Sequence, residues 1–192
     1  MKLIQLGIPG FWLAESKIFH DDRGNFREWF HYNEIKKQLG IEFLVKQANT
    51  SVSNKNVIRG IHYSLFSGGQ AKWITCTNGS LLDVVIDIRP DSPTFLKKIY
   101  VELNSRVPTS LLISSGFGHG FLSFEDSTVV TYLLNSQYQP EFEHRIMPTD
   151  TKLNINWNFR NTKEPEYVIS NEDKSASSLD EMQLAGLLPN FF

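Results

Sequence analysis

Apolar and polar positions alternate along most of this chain in short runs, each closed by Gly, Pro, Asn or Ser. Residues 1–20 alternate weakly and predict an edge strand followed by a second strand over LAESKIF. A turn at Asp22-Arg23-Gly24 leads into an aromatic strand, where Phe26, Glu28 and Phe30 share one face and Arg27 and Trp29 the other. The segment NEIKKQLG, 33–40, predicts a short surface helix with Asn33 as N-cap and Gly40 as stop. EFLVKQANTSVS predicts a strand that points Gln47 and Asn49 to the same side. In residues 56–76, NVIRGIHYSLFSGGQAKWITC, the apolar positions predict two strands folded beside each other about Gly68-Gly69. Gly79 marks a hairpin between WITCTNG and SLLDVVIDIR, the latter patterned as a buried strand. After a double-proline turn at 89–93, the runs KKIYVEL, TSLLISS, GFGHGFLSF and STVVTYLLNS extend the series. From about residue 174 the pattern turns helical, with Leu179, Met182, Leu184 and Leu187 apolar and Ser178 as cap, predicting a packing or assembly surface. Short strands with turn residues between them predict an all-β sandwich or barrel. No repeat or linker divides the 192 residues, so one domain over 1–192 is expected.

Composition narrows the partners. With 41% hydrophobic and 21% charged residues the chain has ordinary globular make-up. A net charge of −2 gives no reason to expect nucleic acid or an anionic membrane, so an anionic ligand would be held by local Arg and Lys. The single cysteine, Cys76, excludes an internal disulfide, suits a reducing cytoplasm, and reads as a buried small apolar residue. The opening MKLIQLGIPGFWL lacks a small-residue cleavage site and is shorter than a membrane span of ~20 residues, so it reads as the first strand of a cytoplasmic protein.

The candidate chemistry begins with His62 and Lys72, on strands either side of the Gly-Gly turn. A base beside a fixed cation is what proton abstraction next to a carbonyl requires. The bland alternative for His62 is a half-buried strand histidine satisfied by a carbonyl. Arg59 falls on the opposite face from His62 unless Gly60 bulges the strand. His119, in GFGHGF, sits among glycines that permit close approach by a ligand or a tight turn. Tyr132 shares a face with Val130 and Leu134; an inward tyrosine is usually core, but in a polar pocket its hydroxyl is a proton donor. No metal is expected: of five histidines, His20, His31 and His144 lie near turns, and there is no His-x-His pair.

VIRGIHYS, QAKW, LLDVVIDIRPDSPTF, GFGHGFLS, TYLLNSQYQPEFEH and DDRGNFREWF together resemble the dTDP-4-dehydrorhamnose 3,5-epimerase family, over roughly residues 3 to 180. The resemblance implies a cupin-type jelly roll used without metal, a homodimer with exchanged N-terminal strands, and a nucleotide-diphospho-4-keto-6-deoxy sugar as substrate. It implies His62 as base, Asp173 as the aspartate that orients it, Tyr132 as acid on the other face of the ring, and Lys72 beside the C4 oxygen. Arg59 and His119 match substrate contacts, as do Gln47, Asn49, Tyr138 and Glu143. Arg23, Phe26 and Glu28 match a segment that reaches the nucleotide from the partner subunit.

The expected reaction is cofactor-independent inversion at C3, C5 or both through a C4 enolate, with dTDP favoured over GDP. The absence of a Gly-rich dinucleotide motif fits an isomerase without a redox cofactor. The chain departs from the family at Glu172, often basic, at Ala48, often aspartate, and at Gly118 and Ser114-Ser115. Its GGQAKW segment resembles branches that make unusual deoxysugars. The competing readings are a 3,4-ketoisomerase, a non-catalytic sugar-nucleotide-binding cupin and a metal-dependent cupin.

Overall fold

A computed structural model describes residues 1–160 and 165–190. The strands are β1 (Lys2–Gln5), β2 (Phe11–Glu15), β3 (Ile18–Asp21), β4 (Gly24–Arg27), β5 (Gln47–Ser53), β6 (Val57–Ser64) and β7 (Lys72–Asn78). They continue as β8 (Ser80–Asp87), β9 (Lys98–Asn104), β10 (Thr109–Ile113), β11 (Phe117–Ser123), β12 (Thr128–Leu134), β13 (Glu143–Arg145) and β14 (Val168–Ile169). Among the described residues, three short α-helices, α1 (Tyr32–Leu39), α2 (Asn171–Lys174) and α3 (Leu179–Leu184), and one 3-10 turn over Pro140–Phe142 complete the fold. One sheet runs β1-β2-β10-β7-β12-β5, and the other β13-β6-β11-β8-β9, with β14 added parallel to β6. β3 and β4 pair only with each other, as a separate ribbon. The all-β sandwich expected from the alternation, and the cupin-type jelly roll implied by the family resemblance, are the architecture observed.

Alternation sorts the buried side chains into layers. Between the sheets, Phe11, Ile74, Cys76, Leu81, Val85, Leu111, Phe117, Phe121 and Val130 form one apolar cluster. Behind β6, β11 and β8, a second cluster gathers Ile58, Tyr63, Leu82, Val84 and Ile86 under Trp157, Leu179 and Met182. Behind the other sheet, α1 packs Ile35 against Trp73, Leu112 and Leu133. β8 is therefore buried on both faces, which accounts for its unbroken apolar look.

The topology corrects the two hairpins. β6 and β7 lie in opposite sheets, and so do β7 and β8. Gly79, at φ +73°, turns the chain from one sheet to the other, and a Cβ there would stand 2.6 Å from Thr128 Oγ1. In a sandwich, consecutive strands switch sheets wherever each has an apolar face to bury against the other, and local pattern does not reveal the switch. Boundaries shift as well. β2 stops at Glu15 and β3 begins at Ile18, so LAESKIF is not one strand. β4 ends at Arg27, leaving Glu28 and Phe30 beyond it, and β5 begins at Gln47.

The cap of α1 is His31, whose side chain accepts from the Glu34 N–H, rather than Asn33; Gly40 ends the helix in left-handed conformation as expected. Ser178 caps α3 with a full capping box, and Leu179 and Met182 are buried, but Leu184 is 88% exposed because the helix ends there. Among the described residues no helix is long and apolar enough to cross a membrane.

Candidate active site

β6 bends at Gly60, whose φ of +125° only glycine holds without strain. The pairing with β11 slips there: His119 stands opposite His62 and Phe121 opposite Arg59, so three steps on β6 match two on β11. A Cβ on Gly60 would lie 2.5 Å from Gly120 Cα, so the two strands touch backbone to backbone. This bulge is the condition under which Arg59 and His62 turn to the same side, and both line one cavity.

That cavity has two adjoining lobes, of about 160 Å³ and 230 Å³. His62, Lys72 and Tyr132 line both lobes, at their junction. Arg59 and His119 belong to the inner lobe, and Asn49, Tyr138, Glu143 and Arg145 to the outer one. His62 projects from one sheet and Lys72 and Tyr132 from the other, so the cavity is the gap between the sheets. His62 and Lys72 thus share a pocket as expected, though they face each other across the sandwich instead of lying on paired strands.

His62 Nε2 lies 2.8 Å from Asp173 Oδ1. With the proton on Nε2, His62 donates to that carboxylate and keeps Nδ1 as its free basic nitrogen. Asp173 is 4% exposed, in the first turn of α2, where its N–H donates to the Ser170 hydroxyl at 3.1 Å. The Gly60 N–H also donates to Asp173 Oδ2, at 3.4 Å. Burial pulls the Asp173 pKa up, but the His62 and Gly60 hydrogen bonds and the charges of His62 and Arg145 outweigh it, and the net shift is downward. Asp173 is therefore a carboxylate at neutral pH.

Lys72 opens β7, flanked by Leu134 on β12 and Ile113 on β10. Burial lowers its pKa, and the negative charges of Glu143 and Asp83 act against that shift. Tyr132 is set opposite Asn49 on β5.

His119 Nε2 lies 2.8 Å from Oδ2 of Asp83, a fully buried carboxylate. Asp83 Oδ1 has no hydrogen-bond partner among the described residues. Asp83 is a site residue that the apolar run of SLLDVVIDIR conceals. The available signal is alternation: Leu81 and Val85 point between the sheets, so Asp83 does too. Arg145 is missed as well, since only the pairing of β13 with β6 brings it opposite His62, and so are His144 and Gln70 at the outer lobe.

The remaining candidates divide. Arg59 donates to the Ser53 hydroxyl at 3.0 Å and to the Val52 carbonyl at 3.1 Å, fixing its guanidinium at the cavity wall. Gln47 supports the rim from behind, donating to Asn49 Oδ1 at 2.9 Å and accepting the Tyr138 N–H at 2.7 Å. Glu143 accepts from Gln70 Nε2 at 2.9 Å. Arg23, Phe26 and Glu28 do not line the cavity of their own chain. Arg23 is paired with Asp21 on the exposed β3–β4 turn, Phe26 is 64% exposed against Phe19, and Glu28 lines a separate cleft beside His31. Among the described residues, no group of three or more His, Cys, Asp and Glu side chains is arranged to hold a metal ion.

The family model for dTDP-4-dehydrorhamnose 3,5-epimerase matches residues 5–181. A dTDP-4-dehydrorhamnose 3,5-epimerase of Mycolicibacterium smegmatis is 40% identical over 97% of this chain and 90% of its own. A dTDP-4-dehydro-6-deoxyglucose 3-epimerase of Streptomyces bikiniensis is 37% identical over 97% of this chain and 93% of its own. Among solved structures, an epimerase of Mycobacterium tuberculosis superposes with a TM-score of 0.93 at 37% identity, covering 100% of this chain and 94% of its own. A 3'-monoepimerase of Streptomyces bikiniensis, in complex with dTDP-quinovose, gives 0.90 at 37% identity, over 96% of this chain and 91% of its own.

Proposed function

The chain belongs to the dTDP-4-dehydrorhamnose 3,5-epimerase family, and from that premise we propose that it inverts C3, C5 or both of a dTDP-linked 4-keto-6-deoxy sugar. It is an isomerase. The observation that carries the chemical reading is the His62–Asp173 pair, which shares a cavity with Tyr132 and Lys72 on the facing sheet.

Hydrogens on C3 and C5 are acidic because the C4 ketone accepts the electron pair as an enolate. His62 Nδ1 takes the proton from one face, and Asp173 holds the resulting imidazolium. Positioned general bases of this kind contribute ~10²–10⁴-fold. Lys72 donates to the developing oxyanion at C4, in a desolvated setting where such a contact is worth most. Tyr132 delivers a proton to the opposite face and the centre is inverted. Arg59 supplies positive charge for the sugar or the diphosphate. The Asp83–His119 pair lies at the inner lobe and sets a second imidazole, oriented by a carboxylate, against the sugar.

The working unit is proposed as a cytoplasmic homodimer, in which the β3–β4 ribbon of one protomer brings Arg23, Phe26 and Glu28 to the nucleotide of its partner's site. The exposure of Phe26 and the lack of pairing between this ribbon and either sheet support that arrangement.

Incubation with dTDP- and GDP-linked 4-keto-6-deoxyhexoses in D₂O, followed by NMR, tests the reading. Deuterium entering C3 or C5 of the dTDP sugar, with inversion, is expected. The relatives include 3,5-epimerases and 3-epimerases at similar identity, so the labelled carbons also decide which centres react. A product with its carbonyl moved to C3 identifies a ketoisomerase, and tight binding without exchange identifies a binding protein.

A further inference from the structure

Three charged side chains meet behind His62, and its pairing with Asp173 uses only one of them. The Asp173 oxygen that binds His62 at 2.8 Å also lies 3.8 Å from Arg145 Nη1. The same guanidinium nitrogen is ion-paired with Glu172. The geometry follows from the fold: β13 pairs with β6 so that Arg145 stands opposite His62, and α2 places Glu172 immediately before Asp173. Apart from His62, Arg145 is the one basic group within 4 Å of Asp173 among the described residues. Its side chain is 39% exposed and that of Glu172 is 77% exposed, so solvent screens the outer part of this couple and leaves the inner contact least screened.

We propose that Arg145 and Glu172 form an opposed charge couple that sets the proton affinity of His62 through Asp173, Arg145 acting as a positioning residue. The proposal rests on the reading of His62 as base. A buried carboxylate with no counter-charge other than the imidazolium would hold that imidazolium firmly, and a base that must accept and release a proton each cycle works best with its pKa near the operating pH. Arg145 weakens the hold of Asp173 on the imidazolium. Glu172 cancels part of the Arg145 charge and keeps the weakening moderate.

Other groups face His62 as well. Positive charge comes from Arg59 on β6 and Lys72 on β7, while Tyr132 on β12 and His144 and Glu143 on β13 border the same lobes. On β11, His119 faces it with Asp83 of β8 behind. All of these are unchanged in the comparison that isolates the couple.

The test is an NMR titration of the His62 imidazole in the substrate-free protein, its resonance assigned by its loss in His62→Asn. Arg145→Gln is expected to raise the apparent His62 pKa, because a positive charge behind Asp173 is removed. Glu172→Gln is expected to lower it, the double variant to return it near the wild-type value, and Arg145→Lys to keep it there. The acid limb of kcat/KM should move the same way in each variant. Shifts of the same sign in both single variants overturn the proposal. So does an unmoved titration with a raised KM in Arg145→Gln, which makes Arg145 a substrate contact instead. The titration needs no turnover: absent deuterium exchange by the wild-type enzyme would remove His62 as base, while opposed titration shifts would still establish the couple.

Discussion

At the scale of the residue, the proposed mechanism divides two proton transfers, on opposite faces of one ring, between His62 and Tyr132. His62 has a buried carboxylate partner at 2.8 Å, while Tyr132 projects from the facing sheet. Their variants should therefore fail differently. His62→Asn is expected to abolish both deuterium uptake and inversion. Tyr132→Phe should keep exchange with retention of configuration, because the base still works while the second face receives no proton; NMR of the recovered substrate in D₂O separates the two outcomes. If Tyr132→Phe inverts at the wild-type rate, Tyr132 is not the acid. Asp173 carries a stability consequence as well. Its folded pKa lies below the ordinary value of 3.8, so its ionisation stabilises the fold above that value, and the contribution is lost as pH falls through the folded pKa. Urea unfolding of wild type and Asp173→Asn should accordingly differ at pH 6, and the difference should shrink below about pH 4.

At the scale of the element, β6 matters more through its irregularity than through its regular part. Had β6 paired evenly with β11, Arg59 and His62 would point to opposite faces of the sheet. Gly60 is what permits the slip, since its φ is +125° and Gly120 Cα would be 2.5 Å from any Cβ placed there. Gly60→Ala is expected to lower stability by several kcal/mol, more than the ~1–3 kcal/mol of backbone strain alone because two backbones must also part. Activity should fall further than the folded fraction does, which circular dichroism melts combined with exchange assays would show. Wild-type-like melting of Gly60→Ala would mean that the strand contact is looser than the geometry implies. The two ends of the C-terminal segment differ in legibility for a related reason. Ser178 and Glu181 form a cap from residues three apart, which local pattern displays, whereas the exposure of Leu184 depends on where α3 leaves the sheet.

At the scale of the whole molecule, the β3–β4 ribbon is the part without a place in its own protomer's site. It is tethered by Arg27, which donates to the Cys76 carbonyl at 3.0 Å, while its tip, with Arg23, stays exposed. If the ribbon completes a partner's site, an inactive His62→Asn chain and an inactive Phe26→Asp chain should complement. In a randomly reassorted mixture, about a quarter of the sites would combine an intact base with an intact ribbon. Activity recovered on refolding the two together, and absent from either alone, supports the exchange; no recovery, with mixed dimers demonstrated by mass spectrometry, rules it out.

The sequence alone determined the all-β class, the helix stop at Gly40 and the buried Cys76, because each follows from alternation or turn chemistry within a few residues. It also singled out His62, Lys72 and His119, polar residues that stand out against a strand's pattern, and Tyr132 by the face it shares with Val130 and Leu134. The bulge at Gly60 was legible only as a condition. Tertiary structure decided what stands opposite what. It placed His62 and Lys72 on facing sheets, set Asp83 behind His119, and brought Arg145 and Glu172 to the back of Asp173. These relations join residues far apart in the chain through sheet order and strand register, and a pattern of period two carries no information about which sheet a strand enters.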